Sequence, residues 1–204
     1  MNEYDREAEA SGWFGPEIVF GLAYSYVEPG QRLLDIGIGT GLSSILFKKA
    51  GLEITGIDLA PEMLEVCRGK GFTRLIRHDL RATPYPLETG GMDHAVCMGV
   101  MNFFGDLDPI FRETGRVVRP GGLFGFVVGE RSEREEAEMI VGGEHTHSEE
   151  PITMYRHSPS QLAGWIGRSG FSIMRDVKFI FYMDMEKKKS LPVRAYLVRK
   201  DGQN

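Results

Sequence analysis

Leu33-Leu34-Asp35-Ile36-Gly37-Ile38-Gly39-Thr40-Gly41-Leu42-Ser43-Ser44 is the stretch whose reading decides the fold. A short apolar run ends on an acid at Asp35, three glycines alternate with other residues, and a helical pattern follows over 42–49. A strand that stops at a glycine-rich turn and feeds a helix is a ligand cradle. Glycine takes positive φ and lets a ligand lie against bare backbone. The register narrows the choice of ligand. The dinucleotide fingerprint G-x-G-x-x-G needs glycine at its sixth position; that position is Leu42 counted from Gly37 and Ser44 counted from Gly39. No Lys-Ser or Lys-Thr follows at the P-loop distance either. What stands is Asp-x-Gly-x-Gly-x-Gly after a strand.

Outward from this stretch the pattern alternates. Upstream, the acidic lead-in and the apolar residues of 17–27, with Pro16 at a first helical position, predict an N-terminal helical cap over 1–30 packed on a sheet. Downstream come a strand over 52–58, a helix over 60–68 and a strand over 72–77. A loop marked by Pro84-Tyr85-Pro86 and Gly90-Gly91 precedes a strand over 92–98. A helix over 107–118 is stopped by Arg119-Pro120-Gly121-Gly122 before a fifth strand over 123–128. After 130–157, Ser158 caps a helix to Ile166, and strands over 171–182 and 191–198 are joined by a turn at Lys187-Lys188-Lys189. Strands alternating with helices imply a parallel sheet covered on both faces. The expected class is therefore α/β: a Rossmann-like, doubly wound, seven-stranded sheet, mostly parallel, with an antiparallel C-terminal strand pair, in one domain over 1–204.

Composition sets outer limits. A length of 204 residues suits one core. The net charge of −5 weighs against a broad nucleic-acid surface. Cys67 and Cys97 form no C-x-x-C and fit a reduced interior. The acidic first residues carry no secretory signal, and no apolar run approaches the roughly 18 residues that cross a bilayer. A cytoplasmic protein without a membrane partner is expected.

Three further positions carry chemistry. Asp58 closes the second strand about twenty residues after the glycines, where a carboxylate accepts hydrogen bonds from ribose hydroxyls; the competing reading is a helix N-cap. In His78-Asp79-Leu80 an acid follows the third strand, placed for an adenine amino group or for an Asx turn. Met98-Gly99-Val100-Met101-Asn102-Phe103-Phe104 follows the fourth strand, and Met101 and both Phe residues read equally as core.

In this order and spacing, over 32–128, the Asp35–glycine stretch, Asp58, Asp79 and the Arg119-Pro120-Gly121-Gly122 turn resemble the small, single-domain (type-11-like) class I S-adenosylmethionine (SAM)-dependent methyltransferases. The resemblance implies SAM as cofactor and S-adenosylhomocysteine as product. Asp35 and Gly37 would orient the amino and carboxyl groups, while Gly39, Thr40 and Gly41 allow close backbone approach. Asp58 would hold the ribose, Leu59 and Met63 would flank the adenine, and Asp79, followed by Leu80, would meet its amino group. Met98 would lie beneath the methionine half, with Trp13 or Tyr4 closing over it.

The stretch 130–157 breaks the alternation and reads as an insertion on the substrate side. His145, His147, Tyr155 and His157 are the candidates for a general base. The competing readings are a solvated loop at His145-Thr146-His147 and a metal site through His145, His147 and Glu149 or His157; no metal is the expectation. The acidic run 133–138 reads as a solvated helix face. The implied activity is methyl transfer to a small-molecule acceptor. Three alternatives stay open: a non-catalytic SAM or adenosine-nucleotide binder, a methyltransferase acting on a macromolecule, and an NAD(P)-dependent oxidoreductase.

Overall fold

The computed structural model describes residues 3–10, 12–142, 151–182 and 190–202. Its centre is β1 (Arg32–Ile36), paired in parallel with β2 (Glu53–Asp58) on one side and β4 (Met92–Cys97) on the other. Adding β3 (Arg74–Arg77), β5 (Val118–Gly129), β8 (Phe171–Tyr182) and β9 (Ser190–Lys200) gives one seven-stranded sheet in the order β3-β2-β1-β4-β5-β9-β8. The first five strands are parallel, and β9 runs antiparallel to both β5 and β8. This is the expected α/β sheet with its antiparallel C-terminal pair. Strand order reverses between β1 and β4, the switch point beside which such sheets bind ligands.

Both faces are covered because side chains alternate along each strand. Leu33 packs with Val19 and Ala23 of α2 (Gly15–Ala23), Phe47 of α3 (Ile45–Lys49), and Leu64 and Cys67 of α4 (Pro61–Gly69). Leu34 and Ile36 join the other core, with Phe111 of α5 (Asp108–Val117) and Trp165 of α6 (Pro159–Arg168). Phe111 stacks on Trp165 and meets Phe126 edge-on. The N-terminal cap also contains α1 (Glu3–Ala10). Among the described residues no helix is long and apolar enough to cross a membrane.

Several boundaries differ from the sequence reading. Turn geometry persists through 42–44, so α3 starts only at Ile45. Phe72 is a buried plug, and β3 begins at Arg74. Arg119-Pro120-Gly121-Gly122 belongs to the irregular start of β5, where the register against β4 slips between Met92 and His94. The run 133–138 is not a helix. Its carboxylates serve as acceptors instead: Glu135 takes the Ser132 N–H at 2.6 Å, and Glu133 takes the Ser160 N–H at 3.3 Å. Arg131 gathers the carbonyls of Ser132 and Glu135, which closes a turn before β6 (Glu138–Val141). β6 pairs antiparallel with β7 (Ile152–Tyr155) in a separate two-stranded ribbon. The lysine turn at 187–189 lies outside the described residues.

Ser158 caps α6 as expected, and more fully. Its hydroxyl accepts the Gln161 N–H and Gln161 Oε1 accepts the Ser158 N–H, a reciprocal capping box. At the opposite edge of the sheet from the glycine turn, His94 is buried. Its Nδ1 accepts the Leu123 N–H at 3.2 Å, so Nε2 carries the proton and donates to Gln31 Oε1 at 2.7 Å. Burial first, and then the Arg119 charge, outweigh the attraction of Asp93 and lower its pKa from 6.5 to about 4. Asp93 beside it is itself raised by burial, yet the Arg32 N–H and the Arg119 guanidinium hold it below the usual carboxylate range.

Two outcomes follow. Between pH 6.5 and 4 the unfolded chain binds a proton at His94 that the native chain does not, so this contribution to stability is full above pH 6.5 and is lost as pH falls. Denaturant melts of wild type and His94→Gln should therefore converge on acidification, their gap narrowing on the order of 2 kcal/mol from pH 7 to pH 4.5. Ser158→Ala, which removes the cap, should cost about 1 kcal/mol in the same melts at neutral pH.

Candidate functional site

The site starts where β1 ends. The N–H groups of Gly37 and Ile38 both donate to the Ile57 carbonyl, at 2.8 and 3.0 Å, turning the chain sharply over the end of β2. Gly37 has φ +71°, and a Cβ there would stand 2.3 Å from Val100 Cγ2, so only glycine fits. Gly41 backs onto Phe72 in the same way. Gly39 differs: the space where its side chain would stand is open. The loop thus packs tightly at both ends and presents bare backbone in its middle.

Asp58 holds this loop in place. Its Oδ2 accepts the Gly39 N–H at 2.8 Å and its Oδ1 accepts the Ala60 N–H at 2.9 Å. One carboxylate therefore fastens both the glycine turn and the approach to α4. Each oxygen retains a second lone pair with which to meet a hydroxyl.

Asp35 lies on the Leu33 side of β1, fully buried, and neither carboxylate oxygen has a hydrogen-bond partner; the buried Ser44 hydroxyl also lacks one. Desolvation raises the Asp35 pKa from 3.8 to about 7. The nearby Ser44 hydroxyl pulls it down somewhat without the geometry of a full hydrogen bond, and the Asp58 charge pushes it further up. Burying an unpaired carboxyl costs free energy unless a partner arrives. A polar, cationic group suits that partner, with hydroxyls meeting Asp58. This donor and acceptor set fits the amino-acid arm and ribose of SAM.

The other positions fall into three groups. Leu59 is half exposed and Met63 partly buried, both at the mouth beyond β2. Asp79 accepts the Arg81 N–H at 2.9 Å in an Asx turn, and its side chain remains partly open. Leu80 and Met98 are core side chains, on opposite faces of the sheet. Trp13 packs edge-on against Phe181 at 5.2 Å and tilted against Phe179 at 6.4 Å, over the C-terminal strand pair. Of Tyr4 only the backbone position in α1 is described.

The ribbon stands over the carboxyl ends of β4 and β5. His157 N–H donates to the Gly129 carbonyl at 2.9 Å, and the Tyr155 ring lies against Gly105, past the 3₁₀ turn at Met101–Phe103. His157 is an interior side chain. It is buried edge-on to Trp165 with Nε2 3.5 Å from the Met101 carbonyl, and burial lowers its pKa against the pull of that carbonyl. The chain folds it inward because its backbone bridges Glu130 at the end of β5. His145, His147 and Glu149 lie outside the described residues, and among the described residues no cluster suits a metal ion. Cys67 and Cys97 are buried; burial pushes the Cys67 thiol up to about 11, and it donates to the Gly39 carbonyl.

Sequence reasoning missed one component. Asp5 of α1 is buried against the glycine turn, accepting from the Thr40 hydroxyl at 2.7 Å and from Lys70 Nζ at 2.5 Å. Lys70 also donates to the Thr40 carbonyl. Thr40 therefore spends its side chain on α1. No local pattern marks this contact, because its partners are 35 and 65 residues apart.

Comparisons with known proteins converge on this architecture. The methyltransferase domain family matches residues 34–126. A ubiquinone biosynthesis O-methyltransferase of Xanthomonas oryzae pv. oryzae is 29% identical over 174 residues, covering 81% of this chain and 72% of the relative. A SAM-dependent methyltransferase structure from Methanosarcina mazei superposes with TM-score 0.76 at 16% identity, over 89% of this chain and 98% of its own. The [4+2]-cyclase SpnF shares the fold at TM-score 0.71 and 18% identity, over 92% and 81%. With the glycine turn, the acids at the ends of β1 and β2 and the strand order already in place, these matches lead to one conclusion: the chain belongs to the class I SAM-dependent methyltransferase family.

Proposed function

We propose that this enzyme transfers a methyl group from SAM to an oxygen of a small-molecule acceptor. The observation that carries the cofactor half is Asp35, a fully buried carboxyl with two unpartnered oxygens beneath a glycine turn. The acceptor half rests on the relatives named O-methyltransferases and on an acidic chain of net charge −5, a poor match for a polyanionic substrate.

In this reading Asp35 and the Gly37 backbone hold the amino-acid arm. Gly39 and Gly41 let the ligand approach, and the free lone pairs of Asp58 take the ribose hydroxyls. Leu59 and Met63 flank the adenine, with Asp79 and the backbone at Leu80 at its edge. SAM supplies an already activated methyl electrophile. The chain's task is then alignment and exclusion of water, and positioning alone supplies roughly 7–11 kcal/mol. His157 acts indirectly, bracing the turn at Met101 from behind. Tyr155, in the ribbon over the ends of β4 and β5, is the described side chain we assign to the acceptor, with His145 retained as a second candidate for the base. A base adds about 10²–10⁴-fold where the acceptor must lose a proton.

Incubation with methyl-labelled SAM and a panel of phenols, catechols, carboxylic acids and amines should place label on a phenolic or enolic oxygen. Label entering only RNA or protein fractions would sink the small-molecule reading. Asp58→Ala should weaken S-adenosylhomocysteine binding at least tenfold by calorimetry. It should also cost about 1–2 kcal/mol in denaturant melts, because the Gly39 and Ala60 N–H groups lose their acceptor. Unchanged affinity in that variant would remove Asp58 from the site.

A further inference from the structure

We propose that Asp35 is a proton-linked selector: it keeps its own proton in the free protein and surrenders it when a ligand's ammonium group takes its place, so that ligands whose amino-acid arm carries an α-ammonium group are captured and the bare adenosyl core is not favoured. This rests on the cofactor reading above and adds to it the ionic state in which the site waits and the feature it selects.

The geometry comes first. Asp35 is fully buried on the central strand, and both of its oxygens lack partners. The groups facing it from the packed elements supply no cation. Asp58 on β2 is an acid that pushes the Asp35 pKa up, and the Ser44 hydroxyl before α3 is neutral. Cys67 on α4 and Cys97 on β4 are thiols held protonated, chiefly by burial, with the Asp35 charge adding to the effect. Lys70 reaches toward Cys67 but spends its ammonium on the Asp5 carboxylate and the Thr40 carbonyl. An ionised Asp35 in the free protein would be an uncompensated buried charge next to a second acid, which proteins avoid by retaining the proton.

The consequence is linkage. With a free-state pKa of about 7, Asp35 holds its proton below neutrality, while a ligand α-amino group with a pKa of about 8 is charged throughout that range. Pairing the two forms an ammonium–carboxylate contact and releases one proton from the Asp35 carboxyl to solvent. Affinity for a ligand bearing the arm should therefore fall roughly tenfold from pH 7.5 to pH 6, following the protonated fraction of the free protein.

The test is calorimetry at pH 6 in two buffers of different ionisation enthalpy, with S-adenosylhomocysteine and with 5′-methylthioadenosine, which lacks the amino-acid arm. S-adenosylhomocysteine should release close to one proton and 5′-methylthioadenosine none. In Asp35→Asn the release should vanish and the affinity should become flat between pH 6 and 7.5. Should that variant fold poorly, infrared difference spectra of the wild-type protein read the same group: the protonated-carboxyl band should be present at pH 6 and bleach on adding S-adenosylhomocysteine. Normal S-adenosylhomocysteine binding at pH 8 with no proton released at pH 6, equal release by both ligands, or an unbleached band overturns the proposal and leaves the cofactor reading standing. Failure of S-adenosylhomocysteine to bind at any pH overturns the cofactor reading itself.

Discussion

Two backbone N–H groups from different parts of the chain, those of Gly39 and Ala60, meet on the one carboxylate of Asp58. The ligand side of the molecule depends on that convergence. A turn with glycine at every second position is the most expensive kind of backbone to immobilise. Here it is held between the Ile57 carbonyl at one end, Phe72 at the other and Asp58 in the middle. Because β1 and β2 are parallel neighbours, their carboxyl ends lie side by side, and the acid that shapes the loop comes within electrostatic reach of Asp35. The shape of the loop and the ionisation of its floor are thus coupled through one residue.

The opposite edge of the sheet is built differently. There His94, Gln31, Asp93, Arg32 and Arg119 form a set in which the polar groups find partners, and His94 is held neutral. This set is satisfied, whereas the Asp35 carboxyl at the other edge carries two orphaned oxygens. That asymmetry is what a sheet with stability invested at its base and binding at its carboxyl ends requires. The shared fold with a [4+2]-cyclase fits the same division, since the scaffold tolerates different chemistry at its open edge.

The sheet was legible because its signals are local and periodic. Apolar runs ending in Asp35 and Asp58, glycine turns and the Ser158 cap each announce an element within a few residues. What escaped depends on distance in the chain or on competition for the same atoms. The 133–138 run has helical charge spacing, yet Arg131 and the N-terminus of α6 claim its carboxylates and carbonyls, and a turn wins. His157 resembles its neighbours in a polar stretch, but the bridge from Glu130 draws it inward against Trp165. Leu80 and Met98 lie where ligand contact is expected along the sequence, but their side chains are buried in the two cores. The ribbon was the least legible part, because its pairing joins segments of a polar stretch that carries no motif.

The clasp between Asp5, Thr40 and Lys70 also bears on the order in which the molecule is assembled. Synthesis delivers α1 before its partners, and the surface that Asp5 grips does not exist until the glycine turn and the far end of α4 have both emerged, 35 and 65 residues later. This helix is therefore docked after segments that follow it in the chain, and Asp5 becomes buried only after the loop beneath it has taken its shape. A nascent chain paused before Lys70 leaves that turn without its cover. The clasp thus ties the docking of α1 to the prior formation of the glycine turn and α4.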